Sequence, residues 1–299
     1  MTRFPGVHAV LYALFDDAGN LNRDAMAAQM AYVRSFGING VTVLGLATEV
    51  GKLSFAERCD IIRWAVEDRG DLPLSVTISG NAAADQVALI RVAEAAGANW
   101  LILQPPASPA SGSADPIVFF AEVAAHTNLP IAIQNAPQYL GRGLSLEDIL
   151  RLQDRCPGFT HIKAETSAVD LAALIARAGP DLTVLNGRGG IEMTDCLAAG
   201  AAGFIVAPDV LPGVTRCWQA WQAGDVAGAQ AAYAAFLPGA TFAMQSLDHL
   251  LCYGKRIFGL RAGIPIHDRA PALRPTEFGM ARAAIWAGQV PALVKNAVP

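Results

Sequence analysis

The sequence predicts an α/β protein, a closed (β/α)8 TIM barrel with a C-terminal helical extension. Three observations lead there. Short apolar runs alternate with amphipathic stretches eight times between Gly6 and Ala223. The runs are continuously apolar, as strands are when both faces of a parallel sheet are covered. From Gly224 the alternation stops and only helical spacing remains. With 299 residues, 53% of them hydrophobic and 16% charged, the chain can bury one large core. We divide it into a barrel, residues 1–223, and an extension, residues 224–299.

The first strand is expected in Gly6 to Phe15 and the first helix in Leu21 to Phe36, where Met26, Met30 and Val33 share a face. Gly40 to Gly45 follows, then a helix opened by the capping box Ser54-Phe55-Ala56-Glu57. Leu74 to Ser79 leads into a helix from Ala83 to Ala96, closed by Gly97 as a left-handed cap. Trp100 to Gln104 is stopped by Pro105-Pro106, with its helix from about Ala114 to His126. Pro130 to Ala136 precedes a helix starting at Ser145, and Phe159 to Glu165 precedes Val169 to Ala178. Leu182 to Asn186 with Ile191 to Ala199, and Gly203 to Ala207 with Val214 to Ala223, complete eight units. Asp225 to Leu237, Ala240 to Leu260 and Thr276 to Trp286 are the helices of the extension.

Composition excludes several functions. A net charge of -4 supplies no electrostatic footprint for nucleic acid or an anionic membrane. No run of eighteen uninterrupted apolar residues predicts a spanning helix. The five cysteines are scattered without a C-x-x-C pair, and the histidines show no metal-ligand spacing, so neither a zinc site nor a disulfide framework is expected. Arg3 is followed soon by Pro5, His8, Asp16 and Asp17, which is not the shape of a secretory leader. A cytoplasmic enzyme-sized globule without a cofactor is the expectation.

In a barrel of parallel strands the strand ends open into one mouth. Phe159-Thr160-His161-Ile162-Lys163-Ala164-Glu165-Thr166 sets a lysine at such an end. A lysine there either reaches out to water or, held in an apolar pocket that disfavours its charge, serves as a nucleophile toward a ketone. Other strand ends contribute Gly45-Leu46-Ala47-Thr48-Glu49, Gln134-Asn135-Ala136-Pro137 and Asn186-Gly187-Arg188-Gly189-Gly190, with Ser79 and Asn81 after the third strand. Glu165 shares a face with Lys163 only if the strand runs on that far, and otherwise pairs with an arginine on the rim. His161 reads as a core histidine.

Together these segments resemble the family of dihydrodipicolinate synthase and N-acetylneuraminate lyase, Schiff-base aldolases and dehydratases on (β/α)8 barrels with a helical extension. The resemblance spans nearly the whole chain. It implies that Lys163 condenses with the ketone of a 2-oxo acid, that Gly187 lies in the pocket, and that the chain is a homo-oligomer, often a tetramer. Three departures stand out. The family's usual strand-five tyrosine is Gln134, which cannot ionise, and the threonine that relays protons to it is Ala47. The synthases' carboxylate-binding arginine falls at Tyr139, with Arg142 three residues beyond.

Gln134, Thr48-Glu49 and Lys163-Ala164-Glu165-Thr166 are more similar to 2-keto-3-deoxy-L-arabonate dehydratase of the same superfamily. That likeness implies a hydro-lyase converting a 2-keto-3-deoxy sugar acid to a 2-oxo acid semialdehyde, with Lys163, Gln134 and Glu165 catalytic. Ala47, Thr48, Glu49, Ser79, Asn186 and Gly187 are the expected substrate contacts, although Glu49 also reads as a loop brace. A pyruvate-dependent aldolase or synthase, and a non-catalytic 2-oxo-acid-binding relative, are the alternatives.

Overall fold

Eight parallel strands pair in sequence order and close on themselves: β1 (Gly6–Val10), β2 (Gly40–Val43), β3 (Leu74–Ile78), β4 (Trp100–Leu103), β5 (Ile131–Asn135), β6 (Phe159–Ala164), β7 (Thr183–Asn186) and β8 (Gly203–Val206). The structure is a computed structural model that describes residues 3–106 and 115–289. Each strand residue is buried except Asn135, which is partly so. That is the physical basis of the continuous apolar runs: the inner face fills the barrel and the outer face meets helices.

The helices of the ring begin and end where local chemistry dictates. In α1 (Arg23–Arg34) the Asn22 side chain accepts from the Ala25 amide. The capping box at Ser54 and Glu57 opens α2 (Phe55–Asp68) as expected. Gly97, at φ 96°, closes α3 (Ala83–Ala96). The helix after the fourth strand, α4 (Pro116–Ala124), starts with Asp115 as its cap; the expected start at Ala114 lies outside the described residues. A four-residue helix, α5 (Pro137–Leu140), follows β5 directly, a turn that spacing does not reveal. The ring is completed by α6 (Leu146–Arg155), α7 (Ala168–Ala178), α8 (Met193–Ala198) and α9 (Leu211–Gln222).

The end of the barrel opposite the strand C-termini is plugged by rings. Phe4 stacks on Trp100 at 5.5 Å, and His161 and His8 pack on the same indole. His161 Nε2 accepts from the Phe4 amide at 3.1 Å and its Nδ1 contacts Thr160 Oγ1 at 2.8 Å, so it is a core histidine. Burial holds both imidazoles down at about 4. Unfolded histidines titrate near 6.5 and bind protons that the folded state refuses, so stability falls as pH drops from 6.5 toward 4. Between pH 7 and pH 5 the two histidines together remove about 3 to 4 kcal/mol, and His161→Asn removes about half of that slope in urea unfolding.

The extension departs from expectation in one place. Instead of separate helices meeting near Pro238, α10 (Val226–Ala243) runs through Pro238 without a break. A proline inside a helix forfeits a hydrogen bond and crowds the preceding turn. Here the buried face of Ala229, Ala232, Phe236, Ala240 and Ala243 outweighs that cost. The chain breaks after Met244, then passes through α11 (Leu247–His249), a π-helical turn (Leu250–Gly254) and α12 (Lys255–Ala262), and ends in α13 (Glu277–Gln289). No helix among the described residues is long and apolar enough to cross a membrane.

Candidate active site

Lys163 is placed by the register of β6 against both neighbours: its Cα partners are Gln134 on β5 and Leu185 on β7. The ladder continues one residue past β6, because the Glu165 amide donates to Asn135 O at 2.9 Å. Strand alternation therefore turns Lys163 and Glu165 to the same inward face. Their side chains meet, Nζ to Oε1, at 3.0 Å. Both are nearly excluded from water, at 6% and 4% exposure.

Around that pair the polar groups form a directed chain. Gln134 Nε2 donates to Glu165 Oε1 at 2.6 Å, while Gln134 Oε1 accepts from Gln104 Nε2 at 2.8 Å. Gln86 Nε2 donates to the Gln104 carbonyl at 2.9 Å. The Glu165 carboxylate thus faces the Gln134 amide donor and the Lys163 amine, and among the described residues no arginine pairs with it. Gln138 Nε2 donates to the Glu165 carbonyl at 2.6 Å and ties α5 to the end of β6.

The pair opens into a cleft of about 540 Å³ of empty space, open solvent at its mouth included. Its wall is mostly apolar, with Ala47, Ile205 and Met244 among its residues; Tyr139, Asp209 and Ser246 add polar atoms. Gly187 also lines it. A Cβ there would sit 2.6 Å from Lys163 Cε and 2.9 Å from Glu165 Cγ, so any side chain would displace the pair. Gly187→Ala is therefore expected to lower kcat by about a hundredfold, through misplacement rather than loss of a reacting group. Circular dichroism and steady-state kinetics check this, since a folded variant with unaltered kcat would show that the pair tolerates displacement.

Four of the expected substrate contacts lie elsewhere. Thr48 is fully buried, and its hydroxyl donates to Leu11 O at 2.6 Å. Glu49 faces away from the cleft and binds two lysines, Lys52 at 2.5 Å and the buried Lys255. It is a brace, but through ion pairs, one within its own loop to Lys52 and one to Lys255 of the extension. Asn186 holds its own loop, accepting from the Arg188 amide at 3.0 Å and donating to Thr166 O at 3.3 Å. Arg188 pairs with Glu192 at 2.5 Å. Ser79 follows β3 and is not in the cleft wall.

The loop carrying Ala47 is a 3-10 turn (Leu46–Thr48) whose first bond runs from the Thr48 amide to Gly45 O. The amides of Leu46 and Ala47 precede that bond and are not consumed by the turn. Leu44 and Glu49 flank it at φ 60° and 57°, a conformation costly for residues with side chains and held here by the surroundings.

Gln104 and Asp209 were not anticipated, although both follow strand ends, where the strand-end rule applies equally. Asp209 accepts from the buried Tyr12 hydroxyl at 2.9 Å, and burial raises its carboxyl above the ordinary range. Met244, Ser246 and Lys255 come from the extension, where helical spacing carries no sign of a site.

Residues 3–247 match the model of the dihydrodipicolinate synthetase family. The chain belongs to that family. Its members are lyases. Among curated relatives, the 4-hydroxy-tetrahydrodipicolinate synthase of Methanococcoides burtonii is 27% identical over 230 residues, covering 76% of this chain and 78% of the relative. A putative 2-dehydro-3-deoxy-D-gluconate aldolase, YagE of Escherichia coli, is 27% identical over 233 residues, 76% and 77% of the two chains. The crystal structure of YagE in complex with pyruvate superposes with a TM-score of 0.88 at 24% identity, covering 97% of this chain and 99% of that one. The family's barrel and helical extension are thus the architecture found here.

Proposed function

We propose that this member of the family is a Schiff-base hydro-lyase that dehydrates a 2-keto-3-deoxy sugar acid, such as 2-keto-3-deoxy-L-arabonate, to a 2-oxo acid semialdehyde. The observation that carries the reading is the Lys163–Glu165–Gln134 contact: the group beside the amine and its carboxylate is an amide. Carbon-carbon cleavage has to draw a proton from the C4 hydroxyl, which an amide cannot accept. Dehydration needs a base for a C3 proton, and a carboxylate 3.0 Å from the imine-forming nitrogen suits that.

In this reading Lys163 condenses with the C2 ketone, releasing water, and the iminium draws electrons from C3. Glu165 takes the C3 proton, and the resulting enamine expels the C4 hydroxyl. Gln134 holds Glu165 toward the amine. The Leu46 and Ala47 amides receive the substrate carboxylate, and Gly187 leaves room for the adduct. The conjugated iminium then loses a proton from C5 and regains one at C3, the C4=C5 enol so formed takes a proton at C4 to become the aldehyde, and hydrolysis of the imine returns the lysine.

Carbon-carbon cleavage or synthesis is the second reading, supported by the names of the relatives. Incubation with 2-keto-3-deoxy-L-arabonate separates the two, since a semialdehyde with no pyruvate is expected and pyruvate release would reject the hydro-lyase. Absence of a borohydride-trapped adduct with any 2-oxo acid would leave only a binding protein.

A further inference from the structure

Expulsion of a hydroxyl from C4 needs a proton donor; Glu165 can return the C3 proton only to a hydroxyl on its own face of the substrate, and a separate acid at C4 is the alternative. Gln134 cannot release a proton. The three other polar side chains on the cleft wall are Tyr139, Asp209 and Ser246. Asp209 accepts the Tyr12 hydroxyl at 2.9 Å and so is engaged with the segment that follows β1. Ser246 caps α11, accepting from the His249 amide at 3.1 Å, and an aliphatic hydroxyl is a much weaker acid than a phenol.

Tyr139 is different in position and in support. It stands on α5, which begins three residues after Gln134, and lines the cleft together with Lys163 and Glu165. The neighbouring residue anchors it: Gln138 Nε2 donates to the Glu165 carbonyl at 2.6 Å, which ties the helix to the backbone that carries the carboxylate.

Resting on the hydro-lyase reading, we propose that Tyr139 is the general acid that protonates the departing C4 hydroxyl. The C4–O bond breaks as the enamine nitrogen lone pair restores the C=N bond and forms C3=C4. The leaving oxygen takes the phenolic proton and departs as water, and the phenolate recovers a proton from solvent at the cleft mouth. Burial and the negative Glu165 raise the Tyr139 phenol above its ordinary value. It therefore stays protonated, which suits an acid and works against the tyrosinate that carbon-carbon cleavage would require.

The test is Tyr139→Phe in the full-length protein, with three measurements. Water loss from 2-keto-3-deoxy-L-arabonate should fall by about a hundredfold or more, the usual contribution of a positioned acid. Exchange of the C3 hydrogens with deuterium oxide, followed by NMR, should stay within about threefold of wild type, because Lys163 and Glu165 are intact. The analogue carrying fluorine in place of the C4 hydroxyl should eliminate at nearly the wild-type rate, since fluoride departs without a proton. Unchanged water loss would overturn the role of Tyr139, as would a parallel fall in exchange, the mark of a merely structural residue. Failure of the fluoro analogue to rescue would do the same. Pyruvate release by the wild type would instead overturn the hydro-lyase reading itself, and the acid with it.

Discussion

Replacement of Lys163 by methionine is expected to abolish turnover, a loss on the order of 10⁴-fold or greater, and to eliminate the borohydride-trapped adduct. Methionine keeps most of the buried stem beside Gly187, so the cleft retains its shape while the nitrogen is removed. Glu165 then loses its cation but keeps the Gln134 donor at 2.6 Å, so the fold survives with about 1 to 3 kcal/mol less stability. Mass spectrometry after reduction with a 2-oxo acid and rate measurements on the same sample check both parts. Retained turnover would end the Schiff-base reading.

The second large effect concerns stability. Lys255, at 1% exposure, reaches from α12 to the Glu49 carboxylate beneath the strand-two loop. Burial lowers its pKa and Glu49 opposes that shift, with burial the stronger. Removing one member of a buried pair strands the other, typically at 3 to 5 kcal/mol. Because Lys52 still touches Glu49 at 2.5 Å, Lys255→Met is expected near the lower end, about 3 kcal/mol in urea unfolding. Converting Glu49 to methionine as well should recover more than half of that loss, since an apolar pair carries no desolvation penalty. A double variant no better than the single one would show that the pair is not what fastens the extension.

Barrel class and the pairing of Lys163 with Glu165 were legible for related reasons. Period and continuity of the apolar runs report burial on two faces, which is a property of each segment alone. The capping box at Ser54 and the left-handed Gly97 are likewise local, and both occur where the residues indicated. Strand alternation paired Lys163 with Glu165 once the ladder continued to Glu165, a condition decided by a bond to Asn135 on another strand. Thr48, Glu49 and Asn186 misled because a polar residue at a strand end satisfies its own loop as readily as it faces the mouth.

The sequence by itself determined which segments are strands, which are helices, and that a lysine, a carboxylate and an amide stand at consecutive strand ends. Only the tertiary structure decided which of those side chains turn into the cleft. It also set Tyr139 in the same cleft wall as Glu165, on a helix too short to leave a periodic signal, and drew Met244, Ser246 and Lys255 from the extension to the barrel. The reason is physical: repeat and capping signals arise from interactions within a few residues, whereas a site is assembled by packing between segments a hundred or more residues apart.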